Sequence, residues 1–436
     1  MKKIRAVLLI LPVLCACQLS FSTVGSWTRE TGPPAVLTTN NVIPLADGRV
    51  AVFSWTQANG EPSNQTSVYD PASGSWTKGA PAPGPALADV VTPLPDGTVL
   101  VEGGRDATGN LLGETWIYDP VRNTWSQAGS VNVPRAFPSY AVLSDGRLLI
   151  AGGDVLLAQP EQTPTGVTNF KPTGNAEIYD PRTRNWSQAG QLGAVRDGIS
   201  LVPVANGAAI AAGGCQGAAG WSPPSATVEL YDPDANAWTP TTSMPLPVCG
   251  AAGVGLRDGR ALVVDQYTFA GVQRYFYNSS DDAFLYDPKT RAWTLSTGLA
   301  GGGTATVMLT DGRVLVPEFR QGATKGRIFQ ELVGGQIFDP ATNQWNYVST
   351  TAVELPLVYL YQGALQQVAV ALPNGTALVI METESLTFNP NVAPSATQVL
   401  DSTGLTFELA GAALVIVVLM LLAYRRSIRT DPMKLA

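Results

Sequence analysis

The sequence predicts an all-β fold: a seven-bladed β-propeller whose last blade is closed by an N-terminal strand, plus one C-terminal transmembrane helix. Three observations predict the propeller. First, an aromatic–Asp–Pro triplet is followed by Trp seven positions after the aromatic, six times: Tyr69/Trp76, Tyr118/Trp125, Tyr179/Trp186, Tyr231/Trp238, Tyr286/Trp293 and Phe338/Trp345. Second, a polar–Gly pair splits two apolar runs at Asp47-Gly48, Asp96-Gly97, Asp145-Gly146, Asn206-Gly207, Asp258-Gly259, Asp311-Gly312 and Asn374-Gly375. Third, successive repeat tryptophans stand 49, 61, 52, 55 and 52 residues apart, the size of one four-stranded unit in a radial array.

Each unit reads as strand, tight turn, strand, loop, strand ending in Asp-Pro, and strand carrying Trp. Asp-Gly or Asn-Gly between β-branched runs is a hairpin signal, and a two-residue type I′ turn is the expected form. Pro suits the second position of the outer turn, and the Asp before it can bond the turn backbone.

In chain order, Met1-Lys2-Lys3-Ile4-Arg5 is a basic start and Ala6 to Cys17 an apolar stretch too short to span a bilayer comfortably. Residues 1–22 read as a secretory signal, with an uncleaved anchor as the other reading. Leu14-Cys15-Ala16-Cys17 resembles a bacterial lipobox with Cys17 as the lipidated residue, although Cys15 departs from the usual small residue; cleavage nearer Ser22 competes equally. Trp27 has the setting of a repeat Trp but no Tyr-Asp-Pro before it, whereas the last unit ends at Phe388-Asn389-Pro390 with no Trp after it. Three strands at the end and one at the start therefore make the seventh blade, which closes the ring and removes its edges.

The propeller covers residues 24–392, and a polar linker follows at 393–404. Residues 405–424 are apolar apart from Glu408 and long enough to span a bilayer. Arg425, Arg426 and Arg429 open the tail 425–436 and place it in the cytoplasm, with the propeller outside a cell membrane crossed once.

Composition narrows the chemistry. The 436 residues include 44 Gly and 33 Pro, which suits a turn-rich all-β chain. Without the leader's three positive charges and the net two of the region from residue 405, the chain's −7 becomes −12 on the middle. An acidic body argues against nucleic acid and anionic lipid surfaces as partners. Histidine is absent, which removes the commonest general base and the commonest transition-metal ligand. No cofactor and no metal site is expected.

The order Asp145-Gly146-Arg147-Leu148-Leu149-Ile150-Ala151-Gly152-Gly153, then Tyr179-Asp180-Pro181, then Trp186, resembles the kelch-repeat β-propeller family. Gly103-Gly104 and Gly213-Gly214 match it as well, while Asp265, Glu318 and Glu382 stand where the Gly doublet is lost. The resemblance implies a disc like the central domain of galactose oxidase. That enzyme's copper site needs two His, which this chain lacks, so the activity does not transfer.

Strands in a blade form a meander. The first–second and third–fourth turns share one face, called here the turn face. The second–third loops and the blade-to-blade connections share the other, the loop face. Length variation falls on the loop face, where binding residues are expected. The candidates are Arg105, Arg135, Asp154, Arg196, Trp221, Asp265, Tyr267, Glu318 and Arg320. Aromatic rings beside charged groups suit a sugar or an exposed peptide, although the same residues could simply pack the loops together. Cys215 and Cys249, the only cysteines outside the leader, fall on that face in neighbouring blades and are expected to pair in an oxidising compartment.

The first functional expectation is an extracytoplasmic binding module for a protein or glycan, held to the bilayer by its C-terminal helix. The second is a carbohydrate-active enzyme, an epimerase or hydrolase built on Arg and carboxylates such as Arg135, Arg196, Glu318 and Arg320. The third is a docking platform within a membrane complex.

Overall fold

The structure is a computed structural model and describes residues 25–30, 32, 39–56, 62–83, 88–106, 108–163, 166–215, 224–265, 282–299, 306–324, 327–356, 368–380 and 385–391. The leader 1–22 with Cys17, Trp221, Tyr267, the linker 393–404, the apolar segment 405–424 and the tail 425–436 lie outside the described residues. Among the described residues, no helix is long and apolar enough to cross a membrane.

Seven four-stranded antiparallel sheets form the ring. Blades one to six span 39–78, 90–130, 139–191, 200–241, 252–296 and 307–356. Blade seven takes three strands from 368–389 and its outermost strand, Ser26–Glu30, from the other end of the chain. Ser26 pairs with Asn389 and Glu30 with Ser385 in antiparallel register. The first strands of blades one and two, three and four, four and five, six and seven, and seven and one touch around the axis. In blade five this strand, Ala252–Gly255, runs so close to Ser200–Pro203 of blade four that a Cβ on Gly253 would meet Ser200 Oγ and Val202 Cγ2 at 2.2 Å.

The seven-residue aromatic spacing has a simple cause. Each Tyr or Phe ends the third strand, each Trp sits in the fourth, and the intervening turn sets them directly opposite, as in Tyr69↔Trp76 and Tyr231↔Trp238. Their ring centroids lie 4.9–5.3 Å apart in the six complete blades. The Trp also fastens its blade to the one before: Trp125 Nε1 donates to the Ala80 carbonyl at 3.1 Å, Trp238 to Ala189 at 2.8 Å and Trp293 to Thr242 at 2.9 Å. The core is accordingly seven apolar clusters, each shared by two adjacent blades. Blades two and three, for example, bury Val90, Leu100, Leu148, Ile150 and Tyr179 together.

The turn chemistry differs from the expected type I′ hairpin in six of the seven inner turns. Gly48 N donates to Leu45 O at 3.0 Å and Leu45 N to Arg49 O at 2.8 Å, and only the Gly has positive φ (+89°). This is a type I turn closed by a left-handed Gly, the three-residue hairpin loop. The Asp before the Gly is selected by its carboxylate, which accepts the N–H two residues on, as Asp47 does from Arg49 at 3.1 Å. Blade four alone has both central residues, Asn206 (φ 64°) and Gly207 (φ 73°), left-handed.

Two blades rise above the disc on the loop face. The long connection between the second and third strands of blade three is a two-stranded hairpin of Asp154–Thr163 and Gly166–Pro172. In blade six the second, third and fourth strands lengthen to Val314–Thr324, Arg327–Asp339 and Gln344–Pro356, giving a three-stranded extension.

Candidate functional site

The loop face carries a polar cluster where blades two and three meet. Asp89 ends the connection into blade two. It accepts the backbone N–H of Gly104, in its own blade, and of Phe137, in the next, each at 2.9 Å. Phe137 is left-handed (φ 52°), an unfavourable conformation for a bulky residue, and it is 59% exposed. The Arg105 guanidinium lies 5.0 Å from the centroid of that ring and 4.8 Å from that of Phe170 at the base of the blade-three hairpin. A cation between two phenyl rings is attracted by both quadrupoles.

The loop after Arg105 is stiff. The Asp106 carboxylate accepts Thr108 Oγ1 at 2.7 Å and Asn110 Nδ2 at 2.9 Å, with the N–H groups of Thr108 and Asn110. These bonds pull its pKa down to about 2.

Beneath this surface, Glu102 closes the second strand of blade two. It is wholly buried, and among the described residues neither carboxylate oxygen has a hydrogen-bond partner. Burial, with the charges of Asp89 and Glu177, pushes its pKa well above the ordinary carboxylate range, and Arg135 opposes the shift. Burial also raises Asp89, against the Phe137 N–H, the Arg105 charge and the Gly104 N–H.

Arg135 and Arg196 require a correction. Both are 0% exposed. Arg135 is ion-paired to Glu177 and donates to the carbonyls of Val133 at 2.9 Å and Asn175 at 2.6 Å. Arg196 pairs with Glu229 at 2.7 Å and donates to the Gly213 and Thr227 carbonyls at 2.7 Å. The two glutamates also take backbone N–H groups of the incoming connection: Asn132 and Val133 for Glu177, Gly193 and Ala194 for Glu229. These pairs stitch each connection to the third strand of the next blade, so neither guanidinium reaches a ligand. The enzyme reading loses two of its four nominated residues for the same reason. Burial lowers the pKa of both arginines, against the neighbouring glutamate charge.

Asp154 is nearly buried where the blade-three hairpin leaves the disc, and its backbone bridges Ala136 in both directions at 2.8 Å. Arg105, Arg135 and Asp154 thus come together at one blade boundary. Asp265 and Glu318 stand half-buried on blades five and six. Asp265 donates its N–H to Asp282 O at 2.9 Å, and Glu318 marks the bulge where its strand leaves the disc. Arg320 is described as strand backbone opposite Glu331. Sequence reasoning passed over Asp89, Glu102, Phe137, Glu177 and Glu229. The last two could have been found: each stands two residues before its Tyr-Asp-Pro.

Cys215 and Cys249 are joined, with sulfurs 2.02 Å apart, and tie the second–third loop of blade four to the next connection. Asp197 brings a carboxylate oxygen within 4.8 Å of both sulfurs. Because the disulfide consumes both thiolates, this trio offers no metal-ligand set.

Residues 201–245, blade four with its following connection, match the family model of the Kelch motif. The fold is a seven-bladed β-propeller, and blade four carries the Kelch motif. No curated protein sequence matches the chain. Among solved structures the propeller is similar to a fungal alcohol oxidase described as catalytically diverse within the AA5 family and in complex with copper, with a TM-score of 0.57 and 16% identity over 84% of this chain and 77% of that one. At that identity the likeness is one of fold. The copper of that oxidase does not fit this chain, which has no histidine and whose one clustered Asp/Cys trio, among the described residues, is closed by a disulfide.

Proposed function

We propose that this kelch propeller is an extracytoplasmic binding module, tethered to a membrane, whose loop face takes a protein or carbohydrate ligand. The carrying observation is the contrast between faces. The turn face repeats one inner-turn design in six of seven blades, whereas both projecting sheets, the Arg105 cluster and the exposed apolar residues Phe137, Val167, Val195 and Leu246 belong to the loop face. Irregular elements on a rigid scaffold are where binding residues collect.

The tether reading rests on the apolar run 405–424, and blade seven gives the face from which a tether would leave. Gly25 and Asn391 flank the paired strands Ser26–Glu30 and Ser385–Asn389, at the place the seventh third–fourth turn would occupy. That place is on the turn face. A signal over 1–22, with Cys17 or a site near Ser22 as its boundary, and a spanning helix over 405–424 would both attach there. The loop face then points away from the bilayer, with the tail 425–436 in the cytoplasm.

The test is retention on glycan and peptide arrays by the full chain in detergent. Loop-face variants Phe137→Ala and Val195→Ser should lose the retained ligand, while Val121→Ser on the turn face should keep it. Equal loss in all three, or no retained ligand, refutes the reading.

A further inference from the structure

Resting on that loop-face reading, we infer that Arg105 is the anchor of a carboxylate-binding subsite, and that the chemical class of ligand is an acidic saccharide carrying a hexuronate. The guanidinium carbon lies over the Phe137 ring at 5.0 Å and over the Phe170 ring at 4.8 Å. Among the described residues, no ion-pair or side-chain hydrogen-bond partner takes its N–H donors. Asp89, the carboxylate that feels the Arg105 charge, has its two oxygens spent on the amides of Gly104 and Phe137. A guanidinium held against aromatic rings with its N–H groups unclaimed presents the parallel donor pair that a carboxylate accepts bidentately.

The site is built before any ligand arrives. Asp106 and its four hydrogen bonds hold the loop that follows Arg105. Asp89 fixes the left-handed backbone at Phe137 that turns the ring outward. Phe170 stands opposite Leu156 in the hairpin ladder. Holding three groups from two blades in one arrangement lowers the ordering cost of binding. The saccharide part of the assignment comes from Phe137. More than half of this residue is exposed beside the cation, a flat apolar platform for the CH face of a pyranose whose carboxylate reaches Arg105.

Isothermal titration of the full chain in detergent against sodium glucuronate, glucose and N-acetylglutamate tests this. Glucuronate should bind, with glucose at least tenfold weaker, a difference of about 1.4 kcal/mol. Arg105→Ala should abolish the heat. Arg105→Lys, which keeps charge but loses the fork, should weaken binding about tenfold or more, and it serves as the decisive variant if the Ala protein does not fold. Phe137→Ala should weaken glucuronate and leave the thermal midpoint in place. Absence of glucuronate binding, undiminished binding in Arg105→Lys, or equal affinity for N-acetylglutamate overturns the proposal. If the arrays show a ligand lost in Val195→Ser while glucuronate fails, the binding-module reading stands and this subsite falls. If no ligand is retained at all, both fall.

Discussion

Trp27 lies directly opposite Phe388 in the blade-seven ladder, with ring centroids 5.0 Å apart, although the two residues come from opposite ends of the chain. This pair repeats the Tyr–Trp contact of the other blades without a turn to connect it. Because Trp27 also packs among Val307, Leu315 and Ile337 of blade six, one side chain closes both the blade and the ring.

Trp27→Ala should therefore cost about 3–5 kcal/mol, the range for emptying a large buried aromatic site. Deleting residues 25–30 should do more, by exposing the edge of Ser385–Asn389 to other chains. Denaturant titration of the point variant and light scattering of the deletion measure the two effects. A loss below about 1 kcal/mol for Trp27→Ala would show that the ring closes without it.

The buried pair Arg135–Glu177 makes a sharper prediction. Removing either partner strands a charge in the interior, so Arg135→Ala or Glu177→Ala should each cost about 3–5 kcal/mol. Replacing both with apolar residues, Arg135→Met with Glu177→Leu, should recover much of that loss. Connection residues Asn132 and Val133 lose their acceptor in every Glu177 variant, so recovery stays incomplete. A double-mutant cycle on unfolding free energies checks the order.

Glu102 predicts a pH dependence. The native carboxyl holds its proton to a higher pH than the unfolded one, because burial and the charges of Asp89 and Glu177 raise it, with Arg135 opposing. The folded state thus binds more protons across the interval above the ordinary Glu value, and stability falls as pH rises through it. The loss is about 1.4 kcal/mol for each unit by which the native value stands higher. Asp89, also raised, adds to the same slope. Glu102→Gln should flatten this part of the stability–pH curve and raise stability at neutral pH; an unchanged curve would exclude Glu102 as its source.

The disulfide closes a loop of 34 residues between Cys215 and Cys249. Chain entropy assigns such a closure roughly 4 kcal/mol in the unfolded state. The Cys215→Ser, Cys249→Ser double variant should lose about 2–4 kcal/mol and leave the blade-one signals of a hydrogen-exchange map unchanged, since the cross-link lies wholly within blades four and five.

The inner turns show how local chemistry can be right in kind and different in form. Asp-Gly or Asn-Gly marked every hairpin, yet the Asp side chain bonds the residue beyond the Gly, which favours a three-residue loop over the two-residue one. The blade-three insertion shows the reverse. The run from Ala158 to Thr168 has no strong alternation, so its strand pairing was not legible, and the hairpin forms because its two ends leave a rigid blade side by side.

What the sequence alone determined is the number of blades, their order, the opposed Tyr–Trp pairs and the closure by Trp27. All of these repeat contacts between neighbours in the chain or in the ring, and a repeated neighbour contact leaves a repeated spacing. What only the tertiary structure decided is which loop-face arginines are sealed struts and which stay partly exposed. Arg105 and Arg135 are both single arginines in loop-face segments. One lies 5.0 and 4.8 Å from the centroids of two rings, and the other is sealed against Glu177 because the rigid placement of blade three against blade two, a relationship between distant positions with no period of its own, leaves the first partly exposed and the second wholly buried.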